Sequence, residues 1–272
     1  MADPLLPGPL WLAGCGNMAG AMLERWIEEG VDPSHVSVIR PSGRSVGHNI
    51  RVSTDYPEDE VPAIVLLGMK PYQIDLVAPA LAPILDRGTI VVSILAGVEL
   101  ASLRSRFPTP RIIIRAMPNL PVRIGKGVTS LHSDSDDIVA RTIVSGLMAA
   151  LGHAEWLEDE ELFHLVTGLS GSGPAFVYRF IEALGEAGAA LGLSREQALR
   201  LATATVEGAA ALAASDSAPP AELAARVTSR GGTTAAGLTI LDTDNALGDL
   251  IARTLDASRR RSLELAAEAR KG

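Results

Sequence analysis

Leu10-Trp11-Leu12-Ala13-Gly14-Cys15-Gly16-Asn17-Met18-Ala19-Gly20 is the stretch that decides the fold. Its first four residues are an apolar run of strand length. Two glycines come next, with one residue between them. A helical pattern then starts at Asn17, with Met18, Met22, Leu23, Trp26 and Ile27 on one face, until Gly30 stops it. In a strand–glycine turn–helix unit, Gly14 permits the tight turn and Gly16 lets a pyrophosphate reach the backbone. The small Ala19 lets the helix pack close to the strand. Free N–H groups at the helix start then hold phosphate. A bare Gly-x-Gly-x-x-Ala also describes an ordinary strand-to-helix turn. The strand before it, the helix after it and the alternation beyond favour dinucleotide binding, with Gly14, Cys15, Gly16, Asn17 and Met18 as cofactor-binding residues.

Outward from this stretch, strand and helix signals alternate. Apolar strand runs stand at Val36–Ile39 and at 61–69, 89–94, 111–116 and 128–131. Helical patterns lie between them at 74–85, 102–107 and 135–151; the last is expected to be capped by residues 133–135 and ended by Gly152. Continuous apolar strands alternating with helices predict a parallel sheet covered on both faces. Near Gly152 the strand runs stop and the remainder reads as helix. Pro174 falls in a first turn and Ser194 is an N-cap. The expected architecture is α/β: a Rossmann-type doubly wound sheet over residues 1–155, then an all-helical substrate and dimerisation domain over 156–272.

Composition narrows the function classes. The 272 residues are 47% hydrophobic and 21% charged, which excludes a disordered or collagen-like chain. Aromatics are only 4%, so the core is aliphatic, and alanine crowds the helical half. With 24 basic and 32 acidic residues the net charge is −8; no basic block marks a nucleic-acid or anionic-membrane binder. The single cysteine, Cys15, excludes an intrachain disulfide and a multi-cysteine metal site. The apolar N-terminal stretch has no basic residue before it and is broken by prolines, unlike a signal peptide. No run approaches a membrane span. A cytoplasmic chain is expected.

The end of the second strand suggests which cofactor. An NAD site wants an acidic residue there. Asp32 precedes the strand, and the strand leads instead into Arg40-Pro41-Ser42-Gly43-Arg44. Arg40 and Arg44 can supply charge and Ser42 a hydroxyl to a 2′-phosphate, so NADP(H) is expected, with NADPH preferred over NADH; the alternative is a solvated basic turn. Lys70-Pro71, Ala96-Gly97 and Pro118-Asn119 close the third, fourth and fifth strands and would ring the same crevice. In the helical half, Ser229-Arg230-Gly231-Gly232-Thr233-Thr234 opens a helix. Its glycines and hydroxyls form a nest for a carboxylate, or else a plain cap. Leu169-Ser170-Gly171-Ser172-Gly173-Pro174 is a similar turn, or a close helix-packing one. The five histidines show no metal-ligand spacing, and no metal is expected.

Taken together, GCGNMA at 14–19, MKP at 69–71, VSILAGV at 92–98, RAMPN at 115–119, LSGSGPAFV at 169–177 and SRGGTTAAGL at 229–238 are specific. With them the chain resembles the Δ1-pyrroline-5-carboxylate reductases nearly end to end. The resemblance implies a Rossmann domain and a helical domain that intertwines into a homodimer, often assembled further. It implies hydride transfer from NADPH to a cyclic imine carboxylate, giving proline in the last step of its synthesis. By the same resemblance Met69, Lys70, Pro71, Ala96 and Gly97 line the ribose and nicotinamide side, with Asn119 near the nicotinamide. Ser229, Gly231, Gly232 and Thr233 hold the substrate carboxylate, and Thr234, the catalytic residue, hydrogen-bonds near the imine nitrogen. Arg230, Leu120, Tyr56 and Gly68-Met69 depart from the family pattern, so a larger imine or a second substrate carboxylate stays open. So do another reductase on this fold and a nucleotide-binding protein without turnover. A hydroxy-acid reductase would need a lysine within 158–192, and none is there.

Overall fold

The computed structural model describes residues 5–269; the first four residues of the apolar N-terminal stretch and residues 270–272 at the end of the helical half lie outside it. The chain divides into two compact units, one running to Ser172 and taking in the chain again from Ser258, the other Gly173–Ala257.

The first unit is built on an eight-stranded sheet. Its strands are β1 (Leu10–Ala13), β2 (Val36–Ile39), β3 (Arg51–Ser53), β4 (Ile64–Leu67), β5 (Ile90–Ser93), β6 (Ile112–Pro118), β7 (Gly127–Ser133) and β8 (Gly152–Trp156). Their order is β3-β2-β1-β4-β5-β6-β7-β8, and the first six run parallel. The chain moves outward from β1 on one side and from β4 on the other, so the topological switch point lies between those two strands.

Every residue of β1, β2, β4 and β5 is buried, because both sheet faces are covered. Side chains alternate between two cores. Leu10, Leu12, Ile64, Leu66, Ile90 and Val92 face one, which also holds Met22 and Trp26 of α1 (Asn17–Glu28). Trp11, Val65, Leu67 and Val91 face the other, against Leu81 of α2 (Ile74–Leu81) and Leu103 of α3 (Leu100–Arg106). α4 (Ile138–Ala149) joins α1 on the first face, where Trp26 Nε1 donates to the Leu147 carbonyl at 2.7 Å.

Three expectations are corrected by this arrangement. β7 is antiparallel to β6, because the connection over 119–126 is shorter than the dozen or so residues a parallel crossover needs. Gly152 does not merely end α4: it opens an edge strand, β8, paired with β7. The α4 cap is Asp137, whose Oδ1 accepts from Ala140 N at 3.1 Å, rather than residues 133–135. The first unit also continues past 155, through α5 (Leu162–Val166) and a π-helical turn (Thr167–Gly171), so its border falls at Ser172.

The second unit contains α6 (Gly173–Ala190), α7 (Arg195–Ser215), α8 (Pro220–Arg226), α9 (Thr233–Asp242) and the start of α10 (Ala246–Ala269). Ser194 caps α7 as expected, accepting from Gln197 N at 3.2 Å. α6 and α7 pack at small residues: a Cβ on Gly185 would lie 3.2 Å from Leu199 Cα, and one on Gly188 would lie 3.3 Å from Ala198 Cβ. Large apolar side chains are left exposed, among them Val177, Phe180, Leu212, Ile240, Leu250 and Ile251. No helix among the described residues is long and apolar enough to cross a membrane.

Candidate cofactor and substrate site

The glycine loop lies at the switch point. Gly14 comes directly after β1 with φ +87°, and its N–H donates to the Ile39 carbonyl of β2 at 2.8 Å. A Cβ there would stand 2.7 Å from Met69 N and 2.8 Å from Met69 Cα. Gly68, after β4, meets it from the other side: its Cβ would lie 2.8 Å from Gly14 O and 2.9 Å from Ala19 Cβ. Two glycines and one alanine therefore let the ends of the two central strands touch at the start of α1. The Gly68 that departs from the family pattern is required by this contact.

Beyond the crossing the loop opens. Gly16 is the N-cap of α1, no side chain caps it, and nothing lies within 4 Å of where its Cβ would be. Gly16 and Asn17 are exposed, while Cys15 and Met18 are half-buried, and Met18 packs on the first core. The first turn of α1 thus presents free N–H groups to open space, the arrangement that suits a phosphate. Burial pushes the Cys15 thiol up, against the pull of the Arg40 guanidinium, so Cys15 stays a neutral thiol.

Arg40 continues β2, its N–H bonded to the Ser53 carbonyl at 2.9 Å, and its side chain turns back over the loop to donate from Nη1 to the Cys15 carbonyl at 3.3 Å. Its Nε is buried without a partner, and among the described residues Arg40 forms no ion pair. A cleft of about 270 Å³ opens beside it, lined by Gly16, Asn17, Glu24, Arg40, His48 and Arg123 among others. Glu24 lies 3.7 Å from Arg123, which leaves Arg40 as the uncompensated cation of the cleft. Ser42 is exposed on the adjoining turn, closed by Gly43 N to Arg40 O at 3.1 Å. An orphaned guanidinium nitrogen beside an uncapped helix start fits an anionic dinucleotide.

The other expected cofactor residues also stand at the ends of parallel strands. Met69 is half-buried and Lys70 is exposed, its N–H donating to Gln73 Oε1 at 3.0 Å; Pro71 opens the turn into α2. Ala96 is exposed on a turn closed by Val98 N to Leu95 O at 3.3 Å, with Gly97 at φ +76°. Asn119, which follows β6, has both ends of its amide engaged within the protein. It is buried: Nδ2 donates to the Ser170 carbonyl at 2.9 Å, and Oδ1 accepts from Val128 N at 2.8 Å. Its amide ties β6, β7 and the π-helical turn together. Tyr56 is likewise engaged by the core, its ring stacked 5.9 Å from that of Trp11; burial pushes its hydroxyl up to about 12.

Sequence reasoning missed the clamp on α5. Arg115 of β6 is buried, and its Nη1 donates to Glu160 Oε1 at 2.6 Å. The same oxygen accepts from Leu100 N at 2.7 Å in the first turn of α3, and the guanidinium lies 4.4 Å over the Phe163 ring. An arginine within a strand run, facing a glutamate after the last strand, was the available signal. Among the described residues no cluster of His, Cys, Asp and Glu could hold a metal ion.

In the second unit, the turn over 229–234 is closed by Gly232 N to Ser229 O at 3.0 Å, with Gly231 at φ +71°. Gly232 caps α9 without any side-chain bond, and Ser229, Arg230, Thr233 and Thr234 are exposed. Two free hydroxyls and an uncapped helix start can hold a carboxylate and offer a hydrogen bond beside it.

Comparison with known proteins adds to this geometry. A family model described as pyrroline-5-carboxylate reductase dimerisation matches residues 160–265, and one described as NADP oxidoreductase, coenzyme F420-dependent, matches residues 11–97. The pyrroline-5-carboxylate reductase of Pseudomonas aeruginosa is 36% identical, over 93% of this chain and 95% of its own. That of Synechocystis is 38% identical, over 94% and 97%. The solved pyrroline-5-carboxylate reductase of Coxiella burnetii superposes with a TM-score of 0.88 at 31% identity, covering 95% of this chain and 98% of its own.

Proposed function

The chain belongs to the pyrroline-5-carboxylate reductase family, and from that premise we infer its reaction: reduction of the C=N bond of Δ1-pyrroline-5-carboxylate to L-proline, the last step of proline biosynthesis. The single observation that carries the reading is the close crossing of Gly14 and Gly68 beneath an uncapped α1 and an unpaired Arg40. This arrangement supports a dinucleotide cradle in which Arg40 meets the 2′-phosphate. NADPH, when bound, supplies the hydride.

The protein's work is to hold, orient and polarise. Gly14 makes the tight turn that brings the backbone N–H groups of Cys15, Gly16, Asn17 and Met18 to the pyrophosphate. Arg40 and Ser42 receive the 2′-phosphate and favour NADPH over NADH. Met69, Lys70, Pro71, Ala96 and Gly97 line the path to the nicotinamide. Asn119 serves that end by fixing the π-helical turn. Ser229, Gly231, Gly232 and Thr233 hold the substrate carboxylate. The Thr234 hydroxyl orients the imine nitrogen, which takes up a proton from solvent, and its carbon accepts the hydride.

The exposed apolar side chains of α6, α7, α9 and α10 support a homodimer formed through the second unit, with assembly of dimers beyond it. A biosynthetic role of this kind supports a cytoplasmic location. The test is NADPH consumption with Δ1-pyrroline-5-carboxylate against its six-membered homologue, repeated with NADH. The five-membered ring and NADPH are expected to give the higher kcat/KM. A higher value for the larger ring would move the assignment to a related imine, with the exposed Arg230 as the first residue to substitute.

A further inference from the structure

We propose that the last turns of α10 position the cofactor loop at 95–98, with Ala266 acting through Gly97 and Ser262 acting through His164. Ser258, Ser262 and Ala266 are spaced by four residues and so share one side of the helix. Each meets a different part of the first unit. Ser258 Oγ lies 3.3 Å from Ser172 Oγ, just past the π-helical turn. Ser262 Oγ shares a 3.0 Å hydrogen bond with Nδ1 of His164, which is buried in α5. Ala266 is only 2% exposed, and its N and Cα stand 3.8 Å from where a Cβ on Gly97 would be.

The neighbouring side chains of these turns face away: Leu263, Glu264 and Leu265 are exposed, and Arg261 pairs outward with Glu264 and Glu268. Only small side chains stand on the inner side, so the helix backbone comes near enough to the loop that a single Cβ on Gly97 would be in ordinary van der Waals contact with it. Gly97 itself is held at φ +76°, a conformation that leaves its loop little intrinsic preference. The buried Ala266 turn bounds the loop on that side and limits the freedom of Gly97. A helix end distant in sequence thus sets where Ala96 and Gly97 stand beyond β5. An ångström of misplacement at such a loop can cost a hundredfold in rate.

This inference rests on the reading that Ala96 and Gly97 line the nicotinamide side. Full-length Ala266→Leu and Ala266→Ser separate positioning from general stability. In Ala266→Leu, the Kd for NADPH, read by fluorescence titration without imine, should rise about five- to fiftyfold, with KM for the imine within twofold of wild type. Ala266→Ser should bind NADPH as wild type does. Ser262→Ala and His164→Gln should each weaken NADPH binding, and their combination should be no worse than the worse single change; this cycle decides the matter if Ala266→Leu fails to fold. An Ala266→Leu protein with a lowered Tm but wild-type Kd for NADPH, or additive effects at 164 and 262, would overturn the proposal. If wild type fails to reduce the imine while Ala266→Leu still loses NADPH affinity, the functional reading falls and the positioning role stands.

Discussion

At Gly14 two independent constraints coincide. A side chain there would be strained by the φ of +87° and would also overlap the Met69 backbone. Gly14→Ala should therefore lose about 2–5 kcal/mol of stability, the sum of backbone strain and overpacking, read as a lower denaturant midpoint. NADPH affinity should fall with it; an alanine variant with wild-type stability would mean the strands do not meet there. On the proposed reading, Arg40→Ala removes a charged donor to the 2′-phosphate, worth about 1.5–3 kcal/mol. The ratio of kcat/KM for NADPH over NADH should fall about 10- to 150-fold, with the NADH value little changed. An unaltered ratio would place 2′-phosphate recognition elsewhere. These residues were legible in the sequence because each obeys a local rule: small residues at a strand–helix crossing, a cation after the second strand. The settings of Asn119 and Tyr56 were not legible, because their partners, Ser170 and Trp11, are distant in sequence.

Among the elements, β1, β2, β4 and β5 were easy to find, since strands buried on both faces are uninterrupted apolar runs. β3 is three residues long, and β8, Gly152–Trp156, mixes Gly, His, Ala and Glu because it lies at the sheet edge. Neither carries a strand-like run. The antiparallel turn into β7 was readable from the brevity of 119–126. The π-helical turn was not, since nothing in TGLSG marks a local widening held by Asn119 and by Ser172 N to Thr167 O at 2.8 Å. The α4 cap allows a pH prediction. The Ala140 N–H, and then the Arg111 guanidinium, hold the Asp137 carboxyl below its ordinary value. A group whose folded pKa is depressed stabilises above its unfolded pKa and loses that contribution as pH falls through the folded one. The Tm advantage of wild type over Asp137→Asn should thus be constant above about pH 5 and vanish in stronger acid. An advantage that grew on acidification would contradict the assignment.

On the scale of the whole molecule, the two units differ in kind. The first has two cores on a sheet; the second exposes apolar side chains that an isolated chain would leave in water. The alanine-rich composition foretold close helix packing, and α6 against α7 shows it. That α10 ends within the first unit was beyond a sequence reading that divided the chain once, at 155. A dimer formed through the second unit predicts that Ile240→Glu, a charge on an exposed apolar position of α9, shifts the protein to monomer in sedimentation and removes activity. A fully active monomer would exclude that interface. Reduction of the cyclic imine is the claim on which the rest depends. Purified protein should consume NADPH with Δ1-pyrroline-5-carboxylate and release L-proline one for one, and Thr234→Ala should lower kcat/KM by about ten- to a thousandfold, equivalent to about 1.4–4 kcal/mol. Tight NADPH binding with no proline formed, or a Thr234→Ala enzyme within twofold of wild type, would contradict the account.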